Sequence, residues 1–345
     1  MRWRTEGEQP QGALFPDVER HIGRGEFRGM EFLHVDARRV INEVPKASRM
    51  PFRWTINAYR GCSHACTYCF ARPTHEYLGM NTGDDFDRRI VVKINAVERV
   101  RAELSPGRWA GDHIAMGTNT DPYQRCEGKY RLTQGIVGEL SAAANPFSIL
   151  TKSTLVLRDA DVLAEAAGRT DVHVSFSVGT LDEEVWRATE PGTPPPWKRL
   201  EALAKLKEKG LRCGVLVAPV LPGLSDTAES LDAVVAAATE AGADSVSGGM
   251  VVYLKPGVRE VFLSHLARTH PDLVPRYDAM YRGINAPSSE RRRVADLLAS
   301  AQARHRGRPV TAPKPRAAPH RNLPPRRVQP APPAEDAGVQ LGFGV

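Results

Sequence analysis

The chain has no apolar run near the ~18 residues that a membrane-spanning helix requires. Its opening stretch, MRWRTEGEQPQG, lacks the apolar centre of a secretory leader, so a soluble cytoplasmic protein is expected. Cysteine is scarce, with five in 345 residues, and an odd number without an export signal argues against a disulfide framework. Three of the five fall between positions 62 and 69, and Cys126 and Cys213 stand alone, too few for a second cysteine cluster. Acid is missing from one long stretch: residues 301–334 hold eight Lys or Arg and no Asp or Glu. With Glu335 and Asp336 included, residues 301–345 carry +6 of the total +7, which leaves +1 for residues 1–300. The basic character is therefore local. Hydrophobic residues are not lacking, and at 41% they are enough for a sizeable core, which excludes global disorder.

Residues 1–48 read as an N-terminal extension, polar and Gly-rich, with one β-rich stretch at Met30–Val35. From about Phe52, short β-branched runs alternate with longer helical ones, the signature of βα units around a parallel sheet. Strands are expected at 55–59, 113–117, 147–151, 172–178, 212–218 and 245–252, with helices at 94–104, 133–144, 160–167, 200–209 and 227–241. Gly210 and Gly242 are C-cap candidates, and Asp226 with Glu229 suggests an N-cap. Six strands and five helices make an α/β fold, a partial (βα)6 TIM-like barrel, because nothing after Val252 supplies the last two units of a closed one. Helical sequence with breaks at Pro271 and Pro287 continues to about Arg304, so the barrel unit is taken as 49–305. Residues 306–345 are dense in Pro and Arg and read as a disordered basic tail.

The chemistry concentrates in NAYRGCSHACTYCFAR, 57–72, directly after the first barrel strand. Parallel barrels build active sites at the carboxyl ends of their strands, which is where Cys62, Cys66 and Cys69 then fall. Three thiolates hold three irons of a cubane and leave the fourth open to a ligand. A structural zinc site, with His64 or His75 as fourth ligand, is the competing reading. The second strand runs into MGTNTDPYQRCEG, which brings small polar groups and a carboxylate to the same mouth, or simply caps a turn at Asn119 and Asp121.

The C-x3-C-x2-C spacing with Tyr68 before the last cysteine resembles the radical S-adenosylmethionine (SAM) superfamily. TDPYQ, ILTKS and the run VSFSVGTLDEEVWRATEPGTPPP resemble its spore photoproduct lyase-related, DNA repair photolyase-like branch, over about 52–262. The resemblance implies a 4Fe–4S cluster on the three cysteines and SAM on the open iron. Reductive cleavage there yields a 5′-deoxyadenosyl radical that takes hydrogen from substrate. It implies a reducing partner such as ferredoxin or flavodoxin, and no membrane. Carried over by position, Thr118, Asn119, Thr120 and Asp121 serve the SAM amino group and Lys152 its carboxylate. Ser175 and Ser177 serve the ribose, Val217 the adenine edge, and Tyr68 belongs to the cluster motif. Lys152 also reads as a surface lysine, while Cys126 and Cys213 read as buried core thiols. The branch favours nucleic acid as substrate, and the basic tail either tracks phosphates or only solubilises the chain. A peptide or small metabolite is the alternative substrate, and a non-enzymatic metal-binding module the alternative function.

Overall fold

The computed structural model describes residues 18–305 except 46, 47 and 49. The tail expected over 306–345 lies outside the described residues. Eleven strands occur among them, β1 (Glu19–Ile22), β2 (Glu31–Val35), β3 (Ile41–Glu43), β4 (Trp54–Ile56), β5 (Tyr59–Arg60) and β6 (Arg89–Lys93), then β7 (Ile114–Met116), β8 (Phe147–Thr151), β9 (Val172–Ser177), β10 (Arg212–Val217) and β11 (Ser245–Gly248).

The main sheet has the order β11-β10-β9-β8-β7-β4-β3, parallel throughout except for β3, which runs antiparallel at the edge. The six parallel strands are the six expected, and they form the partial TIM-like barrel. Helices Ala96–Glu103, Leu132–Ala142, Ala160–Ala167, Pro196–Glu208 and Ala228–Glu240 match the expected helical runs to within a few residues. The alternation along β9 shows why the pattern was readable. Val172, Val174 and Phe176 are buried in the main core with Leu203 and Leu206, and His173, Ser175 and Ser177 take the opposite face.

Gly210 and Gly242 follow their helices at φ +80 and +83, as C-caps need. The N-cap expected at Asp226 is instead Thr227, whose hydroxyl accepts from Ser230 N at 3.1 Å. Asp226 is drawn away by Arg293 and by Gly223 N, at 2.7 Å from the latter. Beyond the barrel, Ser288–Arg304 packs on Ala228–Glu240.

Residues expected as an extension add two things to this frame. β3 continues the main sheet, and β1 and β2 join β6 and β5 in a second, four-stranded sheet of order β1-β2-β6-β5. The β2–β6 pairing is parallel and links Glu31–Val35 to Arg89–Lys93, a separation that no local sequence pattern signals. No helix among the described residues is long and apolar enough to cross a membrane.

Candidate active site

The three cysteines lie on one short loop that follows β5, and all are free thiols. Cys62 packs with Ala71 and Phe86, while Cys66 and Tyr68 pack with Val185, Leu221, Val252 and Leu254 from the segments after β9, β10 and β11. The loop therefore spans the carboxyl end of the barrel, as the sequence implies. Its backbone is pinned from several sides. Gly61 turns at φ +81, and its carbonyl accepts from Thr120 Oγ1 at 2.7 Å and Gln124 Nε2 at 3.0 Å. Ser63 N donates to Gln124 Oε1 at 2.9 Å, and Gly192 N donates to the His64 carbonyl at 3.0 Å. Buried Arg72 donates to the Cys66 carbonyl at 2.9 and 3.1 Å and pairs with Asp87 at 2.8 Å. Burial pushes all three thiols up, so metal has to displace their protons.

Two imidazoles stand near by. His64 Nδ1 lies 3.3 Å from Asp121 Oδ2, and His75 Nε2 contacts the Arg89 carbonyl at 3.0 Å. Each ring has one nitrogen engaged, and the other nitrogen of His75, Nδ1, is buried without a hydrogen-bond partner among the described residues. The residues fit an iron–sulfur cubane: the buried hydroxyls of Ser63 and Thr67, inside the cysteine loop, find no partner among the described residues. Cluster sulfides are acceptors for donors of that kind.

The TNTD segment divides its labour. Thr120 holds Gly61, as above. Asp121 is enclosed: Oδ1 accepts from Tyr123 N at 2.9 Å and Thr151 Oγ1 at 2.7 Å, and Oδ2 accepts from Lys152 N at 2.7 Å. Burial works against its charge, but His64 and these donors hold its carboxyl below the usual range. Asp121 therefore ties the cysteine loop to the end of β8 and makes the capped turn before Tyr123. Thr118 instead meets Thr55 hydroxyl to hydroxyl at 2.5 Å, and Asn119 N donates to Asn57 Oδ1 at 3.2 Å. The Asn119 side chain takes no part in these bonds.

Lys152 follows β8 and is half-buried, not at the surface. Its Nζ donates to Ser177 Oγ at 2.5 Å and lies 3.3 Å from Glu190 Oε1, and Ser177 Oγ in turn donates to the Ala218 carbonyl at 2.8 Å. Glu190 also accepts from Tyr68 and from Arg199, itself wholly buried. Burial alone would raise the Glu190 carboxyl; Arg199, Lys152 and Tyr68 hold it down to about 2. Ser175 lies two residues below Ser177 on the same face, 3.4 Å from His173 Nδ1. Val217 is different. Its side chain is fully buried with Val215 and Cys213 in the main core. Cys126 and Cys213 are likewise fully buried core residues.

Reasoning from sequence missed Glu190 and Arg199, and also Gln124, Arg72 and Asn57. Nothing in the local pattern around them marks these residues as belonging to the site. Glu190 sits in TEPGTPPP, where it reads as part of a turn.

Parallel βα units with three free thiols on a loop at the carboxyl end of the sheet define a partial α/β-barrel protein. The chain belongs to the Radical SAM superfamily, whose model matches residues 56–254. It is 44% identical to an uncharacterized protein of Mycobacterium tuberculosis over 317 residues, 89% of this chain and 93% of that one. It is 29% identical to an uncharacterized protein of Methanocaldococcus jannaschii over 57% of this chain and 70% of the other. Among solved structures, a spore photoproduct lyase complexed with dinucleoside spore photoproduct shares the fold at TM-score 0.60, with 18% identity and 79% of each chain covered. A variant of that lyase with bound AdoMet and the dinucleoside aligns at TM-score 0.58 and 16% identity, over 76% of this chain and 78% of the other.

Proposed function

We propose that this protein is a radical SAM enzyme that holds a 4Fe–4S cluster on Cys62, Cys66 and Cys69, binds SAM beside it and acts on nucleic acid. The observation that carries the reading is the clamped loop: three free thiols at the barrel mouth, Cys62 and Cys66 buried and Cys69 partly so, on a backbone pinned by Gln124, Gly192 and Arg72. When bound, a reduced cluster of this kind supplies the electron that breaks a sulfonium C–S bond of SAM and so starts radical chemistry.

The chain's own residues supply the rest. Thr118 and the Asn119 side chain, next to Asn57, are the acceptors for the SAM ammonium, because the Asp121 carboxylate is already satisfied within the protein. Lys152 offers its amine to the SAM carboxylate in exchange for its contact with Glu190, and Glu190 remains balanced by Arg199 and Tyr68. Ser177, and Ser175 below it, line the same face for the ribose. Leu221, Val252 and Leu254 wall the cysteine loop with apolar surface that keeps water from a reactive radical. A low-potential donor of the ferredoxin or flavodoxin kind supplies the electron. The nucleic-acid reading is supported by the fold shared with a lyase that binds a dinucleoside photoproduct, and by the positive charge of residues 301–334.

Protein purified without oxygen is expected to be brown, with about four irons per chain. It forms 5′-deoxyadenosine from SAM and reductant, and Cys66→Ala abolishes both. A colourless protein with one tightly held zinc on the thiols sinks the cluster. Incubation with deuterated oligonucleotide reads the substrate by label appearing in 5′-deoxyadenosine. Cleavage without label or oligonucleotide binding transfers the reading to a peptide or small metabolite.

A further inference from the structure

β1 and β2 carry a constellation unrelated to the cysteine loop. Glu19 and His21 are two residues apart on β1 and so share one face, and the register sets Glu19 directly opposite His34 on β2. One ligand atom from each of the three lies within 4.8 Å of the other two, the only such group of three His, Cys, Asp or Glu among the described residues. His21 Nε2 is buried and 2.9 Å from Glu19 Oε1, yet the contact lacks hydrogen-bond geometry and the nitrogen has no other partner among the described residues. The two imidazoles stack at 4.0 Å between centroids, tilted by 33°.

His34 is oriented from behind. Its Nε2 meets Tyr130 Oη at 2.8 Å, and the Tyr130 ring stands edge-on to it at 81°. With the Nε2 proton given to that hydroxyl, Nδ1 keeps its lone pair, and it points toward Glu19 Oε2 at 3.9 Å. A ligating histidine held by a hydrogen bond through its other nitrogen is the usual arrangement in metal sites. Two imidazoles and one carboxylate, with the outer side of the carboxylate exposed, suit a borderline divalent cation that keeps a water.

We propose that Glu19, His21 and His34 bind one zinc-class divalent cation, which fastens the edge strand β1 to β2. Such an ion replaces an unsatisfied nitrogen and an exposed carboxylate with three bonds across a strand pair that, among the described residues, has no other strand on the β1 side. It takes no part in the chemistry at the thiols.

The test uses the full chain with its cluster built, freed of loose metal with a chelator and titrated with Zn2+ against a colorimetric competitor. One Zn2+ per chain beyond the iron is expected. Glu19→Gln and His21→Ala should each weaken it at least about tenfold, with iron content and circular dichroism unchanged. Tyr130→Phe, which removes only the orienting hydroxyl, should weaken it by roughly ten- to a hundredfold while the fold persists. Cys66→Ala should lose iron and keep the zinc. No binding in the micromolar range, or equal binding in His21→Ala, overturns the proposal. So does zinc that disappears with Cys66→Ala, since it then sat on the thiols.

Discussion

Glu190 shows how much of this site rests on charge balance in a place without water. Its carboxylate faces Arg199, Lys152 and the Tyr68 hydroxyl, and with the carboxylate neutralised the two cations would face each other unscreened. Glu190→Gln is expected to cost about 3 to 5 kcal/mol, the range for breaking a buried pair by removing one partner. Denaturant unfolding checks it. Iron content should hold, because Glu190 does not touch the cysteine backbone. The carboxyl is held at about 2 in the folded state against 4.5 ordinarily, so its contribution is present above the higher value and is lost as pH falls toward the lower. In the wild type, stability should therefore drop with acidification through that window more steeply than in Glu190→Gln; parallel slopes would refute the balance described. None of this was legible from sequence, because it depends on a turn folding back over the loop that carries Tyr68. The cysteines were legible, since their spacing alone encodes the chemistry. Asp121 was legible as a carboxylate at the barrel mouth, but not as one already surrounded by donors.

At the scale of elements, the cysteine loop is shaped by close backbone approach more than by its own side chains. A Cβ at Gly192 would stand 2.2 Å from the Ser63 carbonyl oxygen and 2.9 Å from that of His64. Gly192→Ala must push the loop away, at a cost of about 1 to 3 kcal/mol for overpacking. Iron per chain should fall with it. Gly283→Ala, at a position open on all sides, is the control and should leave iron and melting unchanged. Full iron occupancy in Gly192→Ala would mean that the loop tolerates displacement. The central barrel strands could be read in advance because β8, β9 and β10 are largely buried runs each followed by helical sequence. The second sheet could not. Its strands are short, and β2 reaches β6 only after the chain has passed through β3, β4 and the cysteine loop. Local pattern carries no information about such a partner.

For the whole molecule, positive charge is concentrated in the C-terminal segment of the sequence. Residues 306–345 hold seven Lys or Arg and two acids, a net +5, and subtracting this from +7 leaves +2 for residues 1–305. The barrel strands, the polar network described above and the cysteine loop lie within residues 18–305. Removing 306–345 should therefore leave iron content and SAM cleavage intact. Its effect belongs to substrate binding. Each phosphate contact contributes about 0.7 to the slope of log affinity against log salt on single strands and about 0.9 on duplex. Full engagement of the seven cations would thus contribute roughly 5 to 6 to that slope. Truncation is expected to weaken oligonucleotide binding at low salt and to flatten the slope by a part of that amount. At high salt the two forms should converge, since counterion release then favours neither. An unchanged slope would assign the segment to solubility and leave nucleic-acid recognition to the barrel mouth alone.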